Sequence, residues 1–120
     1  MAEERAVNTA GSDAAARIDD LRRRIDDLDE LLVRLLSARA ACALEVGRVK
    51  KQLGLEIYQP AREADVLAHV QRINPGPLND ESMKRLFERV IDEARRLERE
   101  AEVRQAEADR GPHENRGERK

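Results

Sequence analysis

Apolar residues recur at alternating intervals of three and four along the first half of this chain. The series is Ile18, Leu21, Ile25, Leu28, Leu32, Leu35, Arg39, Cys42, Val46, Val49 and Leu53. That spacing predicts one long amphipathic helix with a heptad-like stripe. Its outward positions (Asp19, Asp20, Arg23, Arg24, Asp26, Asp27, Glu30) alternate in sign, as a solvated face does. Ser12 or Asp13 offers a side-chain oxygen to cap its start, and Gly54 is placed to end it in a left-handed cap. Counted from Ile18, such a helix runs roughly 54 Å, against a radius of gyration of about 13 Å for a compact 100-residue domain. One chain cannot cover it. Either a partner chain does, or the seam stays wet.

Two further helices follow. Leu55-Glu56-Ile57-Tyr58-Gln59 reads as a short extended link, and Pro60 suits the first turn of a second helix with Val66, Leu67, Val70 and Ile73 on one face. Asn74-Pro75-Gly76-Pro77 is a break, after which Asn79 or Asp80 caps a third helix. Its stripe is Met83, Leu86, Phe87, Val90, Ile91, Ala94 and Leu97, with Glu98 one turn beyond Ala94 on the same face. The expected organisation is a disordered leader over 1–13, a helical domain over 14–105 and a disordered polar tail over 106–120. The fold class is all-α, with three helices per chain and one of them very long.

Composition narrows the function classes. With 23 basic and 25 acidic residues, the net charge of −2 offers no basic field to nucleic acid, and one Phe, one Tyr and no Trp leave no stacking platform. No run approaches the roughly 18 apolar residues that cross a bilayer, and the acidic N-terminus is no secretory signal. A soluble cytoplasmic protein is expected. Cys42 on the seam reads as a small buried hydrophobe. His69 reads as a boundary histidine; with His113 it makes no metal site, and no cofactor motif is present.

Three charges lie on or beside apolar stripes: Arg39, Lys50 and Glu98. Taken singly, Arg39 can fix register in a helical dimer, Lys50 can complement the helix dipole, and Glu98 can edge its stripe. Lys50 is eleven residues past Arg39, nearly three full turns, so both cations share a face roughly 16 Å apart along the axis. Arg22 points about 100° away and roughly 25 Å down the axis, beyond reach of a site on its own helix. An antiparallel partner in a two-fold dimer could bring its own copy there.

The spaced residues Arg22, Ile25-x-x-Leu28-Asp29, Leu32-x-x-Leu35-Leu36-x-x-Arg39 and Glu45-Val46-Gly47-Arg48-Val49-Lys50 resemble the all-helical chorismate mutases of the bacterial shikimate pathway. The likeness continues through Tyr58-Gln59-Pro60-Ala61-Arg62-Glu63, Asn74-Pro75-Gly76-Pro77, Arg85-Leu86-Phe87 and Arg95-Arg96-Leu97-Glu98, covering about Ile18 to Glu100. The resemblance implies an intertwined helical homodimer whose long first helices span both halves, acting on chorismate without a cofactor. It also implies the site: Arg39, Lys50 and Glu98 catalytic; Arg22 (from the partner chain), Arg62, Glu63, Gln59 and Ala94 at the substrate.

The reaction so implied converts a dicarboxylate, chorismate, to prephenate by a concerted Claisen rearrangement. No proton need move, so a protein helps by holding the reactive conformer and stabilising charge on the breaking ether oxygen. Arginine forks suit the carboxylates, Lys50 the ether oxygen, Glu63 the ring hydroxyl and Arg62 the anionic end. Three positions depart from a common family pattern: Gln59 for an acid, Ala94 for a small hydroxyl residue and Glu98 for glutamine. Glu98 can donate to an ether oxygen only when protonated; burial raises its pKa and Lys50 lowers it. An isochorismate pyruvate lyase, a regulatory mutase-like module and an inactive helical dimer are the competing readings. A shikimate-pathway enzyme that tunes activity is compatible with the mutase reading.

Overall fold

Three helices make up the chain: α1 (Ala2–Leu53), α2 (Pro60–Ile73) and α3 (Asp80–Glu118). The computed structural model describes the backbone of residues 2–118 and the side chains of residues 9–111. The protein is all-α, with one long helix.

The inner helix ends follow local chemistry. At the end of α1, Leu55 N–H donates to the Lys50 carbonyl at 2.8 Å and Gly54 N–H to the Lys51 carbonyl at 3.1 Å. With Gly54 at φ +72°, this is a Schellman cap, which a residue bearing a Cβ would strain. Pro60 opens α2, where its missing N–H costs nothing. Asn74 then ties the break together: its Oδ1 accepts from Gly76 N–H at 3.1 Å and its Nδ2 donates to the Leu78 carbonyl at 2.8 Å. Asn79, rather than Asp80, caps α3 by accepting from Ser82 N–H at 2.8 Å.

At the outer ends the helices reach further than the hydrophobic pattern suggests. α1 begins at Ala2 and runs through Ser12 and Asp13, so neither caps it. Alanine, glutamate and arginine dominate that stretch, and all three are strong helix formers. α3 likewise continues past Ala106 to Glu118. Polar spacing supports it locally: Gln105 Nε2 donates to Asp109 Oδ1 at 3.0 Å, one turn on.

The chain divides into two compact units, Met1–Ala38 and Arg39–Lys120. The first is helix alone. Its seam residues are exposed, from 43% at Leu21 to 65% at Leu35. The second holds the end of α1, all of α2 and all of α3, with α2 packed on α3. Among the described residues its buried core is Val70 from α2 and Ile91 from α3. Cys42 is a free and exposed thiol rather than the buried one expected, because nothing in the chain covers that stretch of the seam.

Candidate active site

Seven of the eight side chains singled out above line one cavity of about 260 Å3 in the second unit: Arg39, Lys50, Gln59, Arg62, Glu63, Ala94 and Glu98. The end of α1 contributes the first two, since Arg39 and Lys50 lie on a common face as their spacing requires. The link contributes Gln59, whose side chain makes no capping bond to α2. The first turn of α2 contributes Arg62 and Glu63, and α3 contributes Ala94 and Glu98. Val46, Val66 and Ile91 supply apolar wall.

Arg22 stands apart. It is exposed on α1 in the first unit and does not line this cavity.

Lys50 is held from both of its ends. Its carbonyl accepts the Schellman bond from Leu55, and its ammonium donates to the Ile57 carbonyl at 3.0 Å. The link is thereby clamped against the last turn of α1, and the ammonium is fixed at the cavity wall. Two of its three donors remain for another acceptor.

Glu98 of α3 lies against Gly47 of α1. A Cβ on Gly47 would stand 3.3 Å from its Cγ and 3.4 Å from its Oε2, so glycine at that position admits the carboxyl. Oε2 is buried and finds no hydrogen-bond partner among the described residues. Burial pushes the Glu98 pKa above the ordinary carboxylate value; Lys50 and Arg95 pull it down, Glu63 pushes it up, and the net direction is upward. A carboxyl that keeps its proton longer is a hydrogen-bond donor for longer.

The cavity also contains a residue that the sequence did not single out. Arg95 donates from Nη2 to Glu63 Oε1 at 2.7 Å, and its guanidinium lies 4.9 Å over the Tyr58 ring. The helical phase carried a signal: Ile91, Arg95 and Glu98 fall four and three apart, on one face of α3. Four cations (Arg39, Lys50, Arg62, Arg95) thus face two carboxylates (Glu63, Glu98), and the cavity is net positive even with both acids ionised.

A larger depression of about 680 Å3 shares Ile57 and Glu98 with this cavity but is otherwise lined by the outer residues of α1 and α3, such as Arg48, Gln52 and Gln105. Size favours it; chemistry does not. The smaller cavity gathers the half-buried Arg39, Lys50 and Arg95 and the buried Oε2 of Glu98, which is what orients a small polar molecule.

Three helices with a cation-lined cavity between the end of the first and the other two define a small all-α protein suited to an anionic molecule. The family model for chorismate mutase type II matches residues 21–99. A bifunctional chorismate mutase/prephenate dehydratase of Pseudomonas aeruginosa is 46% identical over 88 residues, 69% of this chain and 24% of that protein. A chorismate mutase of Methanocaldococcus jannaschii is 25% identical over 85 residues, covering 70% of this chain and 86% of that one. Among solved structures, chorismate mutase (form II) from Thermus thermophilus superposes with a TM-score of 0.68 at 38% identity, over 69% of this chain and 94% of that one. The chain belongs to the chorismate mutase type II family. It spans about a quarter of the length of the bifunctional relatives it matches.

Proposed function

We propose that this chain is a chorismate mutase, converting chorismate to prephenate in phenylalanine and tyrosine biosynthesis. The observation that carries the reading is the cavity in which Arg39, Lys50, Arg62 and Glu63 meet the buried carboxyl of Glu98. A dianion entering it meets a net positive lining. Arg39 grips a carboxylate, Lys50 donates to the ether oxygen and the nearby carboxylate, and Arg62 supports the anionic end. Glu63 accepts from the ring hydroxyl, with Gln59 and Ala94 at the substrate. Glu98, protonated, is the second donor to the ether oxygen. The rearrangement needs no cofactor and no covalent intermediate; the rate gain comes from conformer selection and from donors placed where negative charge develops.

The same reading makes the protein an intertwined homodimer. Two chains cover each other's exposed seams, and each site receives the partner's Arg22 as a second carboxylate grip. The apolar stripe from Ile18 to Leu35, exposed throughout, supports a covering partner. The mutase domain is the 14–105 segment with its flanks outside it, and the compartment is the cytoplasm, where a lone thiol such as Cys42 stays reduced. A shikimate-pathway enzyme that docks on this dimer and tunes its rate is compatible with the reading.

The test is direct. Purified protein incubated with chorismate should lose the substrate's absorbance as prephenate appears, and Lys50→Ala should abolish most of that rate. Consumption of isochorismate with pyruvate release, and not of chorismate, would replace this reading by a lyase.

A further inference from the structure

Arg95 makes contacts of a kind that no other ion pair in the described part of the chain makes. The remaining pairs join neighbours three or four apart on one helix, as Arg34–Glu30 and Arg89–Glu93 do. Arg95–Glu63 instead joins α3 to the first turn of α2, at 2.7 Å, with each side chain only 24% exposed. The same guanidinium stacks over Tyr58 of the link, and a weaker contact to Asp92 at 3.4 Å holds it on its own helix. Its neighbour Arg96 shows the contrast: 63% exposed, it meets only Glu93 at 3.6 Å.

A carboxylate at the mouth of a cavity can rotate, and rotation spoils a hydrogen bond to a bound hydroxyl. Charge-assisted bonds from a guanidinium are short and directional, and a guanidinium stacked on a ring is itself fixed in plane. Arg95 engages Oε1 of Glu63 and leaves that carboxylate's second oxygen for a ligand. We infer that Arg95 is a positioning residue: anchored by Tyr58, it fixes Glu63 in the orientation that accepts the hydroxyl of the bound substrate. The inference rests on the proposed reaction and adds to it a residue that acts through Glu63.

A double-mutant cycle in steady-state turnover of chorismate by the full chain tests this, with thermal melting followed in parallel. Arg95→Met and Glu63→Gln should each raise KM roughly 10- to 100-fold, since each removes a charged hydrogen bond on the way to the same hydroxyl. The double variant should be no worse than the weaker single one, because the second change removes a contact already lost. Arg95→Lys should recover part of the loss, and Arg96→Met should leave both constants unchanged. Losses that multiply in the double variant, or an Arg95→Met KM within about twofold of wild type, overturn the inference. Should Arg95→Met fail to fold, the cycle run with Arg95→Lys decides in the same way. A wild type that leaves chorismate untouched overturns the proposed reaction instead, and this inference with it; an active wild type with multiplying losses overturns this inference alone.

Discussion

The two units of this chain show equally regular patterns and opposite degrees of packing. Residues 2–38 are one unbroken stretch of α1 whose leucines and isoleucines stay open to solvent, with Leu28 56% exposed. Arg39–Lys120 closes on itself, buries Val70 and Ile91, and gathers its oddly placed charges into one cavity. Periodicity alone therefore does not say where a stripe finds its cover. In the second unit the cover is the chain's own α2 and α3; in the first the described residues supply none.

Changes on the two sides should fail in different ways. The largest effect belongs to Lys50→Ala, which removes a fixed donor from the cavity: turnover should fall by about 10²- to 10³-fold. Circular dichroism and sedimentation should be unchanged, which separates lost chemistry from lost assembly. Leu32→Glu in the first unit should do the reverse. A charge placed in an apolar seam should shift the sedimenting species toward monomer, with activity recovering as protein concentration rises. Unaltered sedimentation for Leu32→Glu would mean that the seam is not an interface.

The next effect is a pH slope. Burial lifts the Glu98 pKa against the pull of Lys50 and Arg95, so the donating, protonated form persists to higher pH than in an unperturbed glutamate. The rate should hold on the acid side and fall about tenfold per pH unit beyond the shifted pKa, and Glu98→Gln should flatten the curve. The same slope in the Gln variant would take Glu98 out of the mechanism. Stability follows the same sign: a raised folded-state pKa means a contribution that is full below the unfolded pKa and lost as pH rises through the folded one. Glu98→Gln should therefore melt progressively above wild type as pH rises. The smallest effect is Gly54→Ala, where φ of +72° disfavours a Cβ. About 1 kcal/mol of stability should go with that left-handed cap, read as a lower melting temperature.

Much of the fold was legible because its punctuation is chemical. Gly54 and the break over 74–79 end or start a helix through local bonds, and Pro60 starts one through its fixed φ and missing N–H; a sequence displays all three. The outer ends were not legible: Ser12 and Asp13 are good caps, but a cap residue flanked by strong helix formers is tolerated inside a helix. Six of the seven cavity residues sit at a fixed phase on a helix, where spacing and resemblance can single them out; Gln59 lies on the link just before α2. Arg95 escaped because its meaning depends on Glu63, 32 positions away on another element, and Arg95 and Arg96 look alike until a partner distinguishes them. Cys42 departs from expectation for the converse reason: seam position promises burial only where something covers the seam.

The central claim is that the open first unit completes the cavity of another chain, and mixed dimers test it most directly. Arg22→Ala and Lys50→Ala chains, each nearly inactive alone, should be unfolded together, refolded as an equal mixture and assayed for prephenate. If each site takes Lys50 from one chain and Arg22 from the other, half of the dimers are hybrids with one intact site each, and about a quarter of wild-type activity should return. If Arg22 serves its own chain's site, the mixture should stay as inactive as its two components; if it serves none, Arg22→Ala should be active alone; either result contradicts the account.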